Sequence, residues 1–127
     1  MRVSTGSPFE TRIGYSRALR EGNFVFVSGT TGYDYQTMIL PEGVVAQCRN
    51  ALSNIRAALA EAGAGFEHVV RVRYILPERG DFEPCWPLLA EAFAISKPAA
   101  TMMVAGLLEP EMRIEIEVTA LIPQGEA

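Results

Sequence analysis

Histidine and cysteine are nearly absent from the chain, which has one histidine and two cysteines in 127 residues. Because His68 is the only histidine and begins a predicted strand, we can propose no Ser-His-Asp arrangement. Cys48 and Cys85 are too few for a disulfide framework and lack metal-ligand spacing, so we expect two free thiols and no metal site. Cys85, near a predicted helix N-terminus, is either an activated thiol or, more commonly, a small buried hydrophobe.

Positive charge and long apolar runs are also scarce. Eleven Lys and Arg residues stand against fifteen Asp and Glu, giving a net charge of −4. The basic residues are scattered, so the sequence predicts no surface for a phosphate backbone and no nucleic-acid partner. No run approaches the roughly 18 to 20 apolar residues that span a bilayer, and the N-terminus lacks an apolar signal core. We therefore expect a cytoplasmic protein with no membrane partner.

Apolar residues, in contrast, are abundant for so short a chain. They make up 49% of it, charged residues make up 20%, and the mean hydropathy is +0.14. The length fits a single domain over residues 1–127, in which the polar residues 1–13 form a loosely ordered arm. The apolar excess indicates that part of the surface is covered by other subunits.

The spacing of apolar residues predicts the order β-β-β-α-β-α-β-β. Residues 14–30 form two strands joined around Glu21, Gly22 and Asn23, and Phe24–Val27 is apolar on both faces. Apolar positions at intervals of three and four predict a helix over residues 44–62, whose Gln47, Asn50, Asn54 and Glu61 face away from the sheet. The remaining expected elements are a short strand at 37–40, longer strands at 68–76, 99–104 and 113–121, and a helix at 85–93 capped by Asp81. This order predicts an α+β (α/β layer) fold, a mixed sheet with two helices packed on one face.

The alternating run RIEIEVTAL in the last predicted strand places apolar and acidic side chains on opposite faces. Ile114, Ile116 and Val118 would face a core, while Glu115 and Glu117 line the opposite surface. An enclosed carboxylate there can serve a small-molecule site. The alternative is a solvated strand face, or carboxylates paired with Arg73 or Arg113.

Several segments together carry a family resemblance. They are GYSRA, FVFVSG, the helix ending AALAEAG, VVRVRYIL, DFEPCWPLL, KPAAT and IEIEVTAL, in this order between about residues 14 and 121. With them the chain resembles the reactive intermediate deaminase family, RidA/YjgF, which has the older label endoribonuclease L-PSP. The resemblance implies a chorismate mutase-like fold and homotrimers, in which the sheets form a central barrel and a cleft lies at each subunit interface.

The resemblance also implies a reaction, the hydrolytic deamination of a 2-imino or enamine acid without metal or organic cofactor. By position, the cleft would be lined by Tyr15, Ser28, the segment 99–102 and Glu115, with Glu115 orienting or deprotonating a water. Other roles remain open for two of these residues. Tyr15 can be an interfacial aromatic whose hydroxyl finds a partner, and the Ser28 hydroxyl can bond local backbone in a turn.

One departure from the family bears on the substrate, because Ala100 stands where well-known deaminases of the family carry Arg after the Pro-Ala pair. Loss of a charged hydrogen bond weakens carboxylate anchoring by about tenfold to a hundredfold. Backbone groups near Thr101 and Met102 can still polarise a water, and Arg17 and Arg73 are candidate replacements.

Three functions follow from these residues. We expect a deaminase of a small imine or enamine, other than the usual 2-imino acids, with its substrate at a subunit interface. The alternative is a non-catalytic metabolite-binding trimer of the same fold, which Ala100 favours. A ribonuclease, suggested by the older family label, is opposed by the acidic charge and the single histidine.

Overall fold

The centre of the computed structural model, which describes residues 1–125, is a mixed six-stranded sheet. The strand order is β1-β2-β3-β6-β4-β5, and the neighbouring strands described are antiparallel except β4 and β5. That parallel pair needs a crossover, which the helix α3 supplies. The strands are β1 (Arg2–Val3), β2 (Ala18–Glu21), β3 (Phe24–Thr30), β4 (Val69–Leu76), β5 (Ala99–Val104) and β6 (Glu115–Leu121).

Three α-helices accompany the sheet within residues 1–125. They are α1 (Pro8–Ile13), α2 (Val44–Glu61) and α3 (Trp86–Ala92), and short 3-10 turns lie at Phe66–His68, Arg79–Asp81 and Glu83–Cys85. The α+β mixed sheet is thus confirmed. No helix in the described part of the chain has both the length and the apolar character needed to cross a membrane.

The two faces of the sheet differ in character. The face under α2 and α3, called here the helix face, carries Val25, Val27, Val72, Ile116 and Val118, all almost fully buried. Helix α2 covers it with Cys48, Ala51, Ile55 and Leu59, which recur at the intervals that bring them to one side of a helix. Burying each large aliphatic side chain contributes about 1.5–3 kcal/mol. The opposite face is called the open face, because no helix described in the structure covers it.

The predicted hairpin and long helix are confirmed. Glu21 pairs with Phe24 across a two-residue turn in which Gly22 has φ of 58°, a left-handed conformation that glycine adopts without strain. Helix α2 ends one residue before the predicted boundary. Gly63 follows with φ of 86°, and the Ala64 amide donates to the Leu59 carbonyl at 2.8 Å, closing the helix end.

Parts of the predicted element order are wrong. The strand expected at residues 37–40 is a turn with one isolated bridge between Asp34 and Ile39. Asp81 does not cap α3, because its carboxylate instead accepts a hydrogen bond from Arg113 Nε at 2.9 Å. The structure also has β1 and α1 within residues 1–13, where the apolar pattern indicated no element.

Three of the four polar residues of α2 that were predicted to face away from the sheet bind protein groups, whereas Glu61 is exposed. Gln47 is buried, donates to the carbonyls of Pro41 and Glu111, and accepts from the Arg113 amide at 2.8 Å. Asn50 donates to the Gly32 carbonyl, and Asn54 donates to two further carbonyls of the same loop. These side chains satisfy backbone acceptors of segments that have no ladder partner, so they hold the loop after β3 against the helix.

Both cysteines are free and buried between α2 and the segment before α3. A hydrogen bond with Cys85 and burial together raise the pKa of the Cys48 thiol far above its usual range. Cys85 is fully buried, with Sγ 3.6 Å from the Asp81 carbonyl oxygen. This burial favours the interpretation of Cys85 as a small hydrophobe over that of an exposed nucleophile.

Candidate functional site

Glu115, the first residue of β6, lies against the backbone of Gly29 in β3. A Cβ atom at position 29 would be 2.6 Å from Glu115 Oε2, closer than a real side chain could approach. The missing side chain at Gly29 therefore makes room for the carboxylate, which packs on the main chain. Glu115 and Gly29 are therefore in direct contact between β6 and β3.

The surroundings of Glu115 change its proton affinity. Burial raises the pKa of the Glu115 carboxyl above its usual value of 4.5, and the nearby Glu117 carboxylate raises it further, while the Arg17 guanidinium acts in the opposite direction. A carboxylate with a raised pKa is a stronger base once it is ionised. The site can thus support proton abstraction from a water.

Arg17 is buried near this contact, with only 2% of its surface exposed. Its Nη1 donates to the Gly29 carbonyl at 2.8 Å and to Thr30 Oγ1 at 3.0 Å, and its Nη2 donates to the Tyr15 hydroxyl at 3.2 Å. The guanidinium carbon lies 5.4 Å from the ring centroids of Tyr15 and Tyr35. Arg17 therefore supports residues around Glu115 from behind and has little surface for a ligand.

Sequence reasoning missed two residues of this cluster, Glu10 and Tyr35. Glu10, in α1, is 5% exposed, and its Oε2 lies 3.8 Å from Arg17 Nε while also accepting from the Thr5 hydroxyl. Burial raises the pKa of Tyr35, and Arg17 opposes that shift. The spacing of Ser7 and Glu10 is that of a capping box and could have revealed α1, but no local signal reveals the contact with Arg17.

Tyr15 and Ser28 lie together on the open face, as the resemblance implies. They line a cavity of about 560 Å³ that Phe26 and Glu117 also border. The Ser28 hydroxyl donates to the Ser16 carbonyl at 2.7 Å, which is the local backbone bond expected of a serine in a turn. Glu117, rather than Glu115, lines this cavity, and Glu115 packs against Gly29, which follows Ser28 in β3.

The segment predicted to line the same cleft lies on the edge strand β5. Ala100 is opposite Val72 and Met102 is opposite Tyr74, so both side chains belong to the helix face, whereas Glu115 is on the open face. Thr101 faces the other way, and its hydroxyl accepts from Arg71 Nη2 at 2.7 Å. Within one chain, Ala100 and Met102 are therefore separated from Glu115 by the sheet.

Arg73 lies on the open face, but its partner is Glu117, with 3.4 Å between Arg73 Nη1 and Glu117 Oε1. Arg113 pairs with Asp81 at 2.7 Å and not with either carboxylate of β6. Of the two candidate replacement arginines, Arg17 is the one whose charge acts on Glu115. Within residues 1–125, no three His, Cys, Asp or Glu side chains are grouped so as to hold a metal ion.

Comparisons with known proteins agree with this architecture. Residues 5–122 match the sequence model of the endoribonuclease L-PSP family. A RutC family protein of Pyrococcus abyssi is 36% identical over 107 residues, which cover 84% of each chain. The 2-iminobutanoate/2-iminopropanoate deaminase of Mus musculus is 31% identical over 108 residues, covering 84% of this chain and 80% of that one.

Solved structures of related proteins share this fold. A crystal structure of a YjgF family member from Mycobacterium tuberculosis superposes with a TM-score of 0.86 at 37% identity, covering 96% of this chain and 98% of the other. RidA from an Antarctic Psychrobacter superposes with a TM-score of 0.81 at 31% identity, covering 86% and 89%. The chain therefore belongs to the endoribonuclease L-PSP family, also called RidA/YjgF, which includes 2-iminobutanoate/2-iminopropanoate deaminases.

Proposed function

We propose that this protein is a hydrolase that deaminates a small imine or enamine and releases ammonia. The observation that carries the proposal is the Glu115 carboxylate, enclosed against Gly29 and raised in pKa by burial. Relatives named 2-iminobutanoate/2-iminopropanoate deaminases support the reaction class. The acidic net charge of −4 and the scattered Lys and Arg residues give no support to a nuclease.

In the proposed reaction, Glu115 removes a proton from water while the water oxygen attacks the carbon of a protonated C=N bond. A new C–O bond forms, and the π electrons move to nitrogen, giving a carbinolamine. Glu115 returns the proton to the amine nitrogen, the C–N bond breaks with its electron pair going to nitrogen, and Glu115 takes the hydroxyl proton as the carbonyl forms. Ammonia leaves, and the proton on Glu115 passes to solvent or to the ammonia. Tyr15 and Ser28 hold the substrate, since both border the open-face cavity.

The proposed site is shared between subunits of a homotrimer. Phe24, Phe26 and Leu121 are 44%, 45% and 40% exposed on the open face, and the rings of the two phenylalanines stack at 5.9 Å. The edge strand β5 exposes Met102, Met103 and Val104 as well. Apolar strips and bare strand edges of this kind are normally covered. A neighbouring subunit would bring its β5 to the open face that carries Glu115.

A charge placed in the apolar strip tests this assembly. We expect Phe26→Asp to convert an oligomer to monomers and to abolish ammonia release, because an unpaired carboxylate cannot be buried at low cost. Light scattering after size-exclusion chromatography measures the mass. Ile95→Asp is the matched control, since Ile95 is 83% exposed and lies outside the sheet. A monomeric wild type would contradict the shared site.

The reaction itself is tested with imines generated in situ by an amine oxidase or an amino-acid oxidase. Purified protein should accelerate ammonia release above the protein-free rate at equal imine supply. A second function, metabolite binding without turnover, is favoured by Ala100, which offers no cation for a carboxylate. Ligands that raise the melting temperature but whose imines are never hydrolysed faster would support binding and exclude catalysis.

A further inference from the structure

A groove on the helix face runs between the edge strand β5 and α3. Its volume is about 360 Å³, and residues along it include Tyr74, Phe82, Trp86, Phe93, Ala100 and Met102. Ala100 forms part of its lining. The groove is separate from the open-face cavity beside Tyr15 and Ser28.

The aromatic wall of the groove is already ordered. Tyr74 and Phe82 have ring centroids 5.2 Å apart, and Phe82 meets Trp86 edge-on at 6.2 Å. Tyr74 is buried, whereas Trp86 is 52% exposed and leaves part of its ring free at the rim. Because packing holds these rings in place, a ligand would not have to order them on binding.

The groove is lined by uncharged side chains and therefore disfavours both anions and cations. None of the described residues that line it is ionised at neutral pH. The arginines of the neighbouring strand face the other side of the sheet, where Arg71 bonds Thr101 and Arg73 pairs with Glu117. A carboxylate in this groove would lose its hydration without gaining a partner.

We infer that this groove, set by subunit assembly against the open face of a neighbouring subunit, binds the apolar substituent of the substrate, so that the substrate class is an uncharged imine carrying a branched alkyl or aryl group. The imine as reacting group rests on the proposed function, whereas occupation of the groove does not. The volume suffices, since an apolar cavity of about 150 Å³ already takes benzene in another protein. Each methylene buried there should tighten binding by about fourfold.

Trp86 makes the inference directly measurable, because it is the only tryptophan in the chain and lies at the groove. The probes are 4-methylpentan-2-one and 4-methyl-2-oxopentanoate, which share one branched chain and differ in a methyl or a carboxylate next to the ketone. We expect a saturable change in Trp86 emission with the neutral ketone and at least tenfold weaker binding of the carboxylate. N-acetyltryptophanamide gives the correction for collisional quenching.

Two substitutions at one position give opposite expected results. Ala100→Phe should fill the groove and remove saturable binding of the neutral ketone. Ala100→Arg should bind the carboxylate at least tenfold more tightly than the wild type, because a charged hydrogen bond becomes available. Leu108→Phe is the control, since Leu108 is 70% exposed and lies outside the groove.

Three results would overturn the inference: equal binding of the two probes, unchanged binding in Ala100→Phe, or Trp86 emission that responds to protein dilution and not to ketone. The last result would mean that a second subunit occupies the groove. Ammonia assays on the same samples separate this inference from the proposed function. Saturable ketone binding without any imine turnover refutes the deaminase alone, whereas turnover of 2-imino acids without ketone binding refutes the groove alone.

Discussion

Replacing Glu115 by glutamine should reduce ammonia release to the protein-free rate. Glutamine keeps the size of the side chain against Gly29 but cannot accept a proton from water, and loss of a general base typically costs about 10²- to 10⁴-fold in rate. Initial rates with imines generated in situ measure the effect. Glu117→Gln is the matched control on the same strand and face, and it should retain turnover. Equal rates in Glu115→Gln and wild type would refute the proposed role.

The same substitution should raise the melting temperature at pH 7. Because burial and Glu117 raise the folded-state pKa of Glu115 above 4.5, the folded protein holds the ionised form at a cost that glutamine avoids. That advantage is complete above the raised pKa and fades as the pH falls through it toward 4.5. Thermal unfolding of both proteins at several pH values checks the sign, and a lower melting temperature for Glu115→Gln at pH 7 would contradict it.

Replacing Arg17 by methionine should destabilise the fold by about 3–5 kcal/mol, the cost of leaving one partner of a buried ion pair alone. The Glu10 carboxylate would keep only its bonds to Thr5, and the Gly29 carbonyl would lose its Arg17 donor. Loss of the Arg17 charge should also raise the pKa of Glu115 further, because Arg17 lowers it in the wild type. Urea unfolding measures the first effect, and the acid limb of the pH–rate profile measures the second.

The double variant Glu10→Gln with Arg17→Met separates lost charge from lost packing. Removing both charges leaves no uncompensated ion, so it should be more stable than Arg17→Met alone. Arg17→Lys retains the charge but lacks the two Nη donors of the guanidinium, which bind Gly29, Thr30 and Tyr15 at the same time. We expect it to preserve the pKa of Glu115 better than it preserves stability. If Arg17→Met alone were as stable as the wild type, the stabilising role of Arg17 would be contradicted.

The elements that sequence analysis predicted well are those whose pattern is complete within one segment. Helix α2 shows four turns of one apolar side, and β6 alternates over its whole length. In contrast, β1 has two residues and exists because Val3 and Arg2 pair with β2 fifteen or more positions along the chain. No local pattern can predict a strand that depends on such a partner.

The sequence indicated candidate site residues but not the contacts that they make in the fold. The resemblance led to Tyr15, Ser28 and Glu115, which the fold places at one end of the open face. Arg17, a candidate for substrate binding, is buried, and its two Nη atoms donate to Gly29, Thr30 and Tyr15. Gln47, expected at the surface, binds three backbone groups. These roles depend on loop paths and on the contact between α1 and Arg17, which no local pattern reveals.

The position of the Glu115 carboxylate depends on the absence of a side chain at Gly29. Since Glu115 Oε2 occupies the volume that a methyl group at position 29 would need, even Gly29→Ala must rotate the acid into another rotamer or push two strands apart. Either movement would displace the carboxylate oxygen from the water that it deprotonates, and a displacement of about 1 Å can lower a rate by about a hundredfold. An engineer who grafts this carboxylate onto a related scaffold would therefore have to transfer the bare backbone opposite it as well.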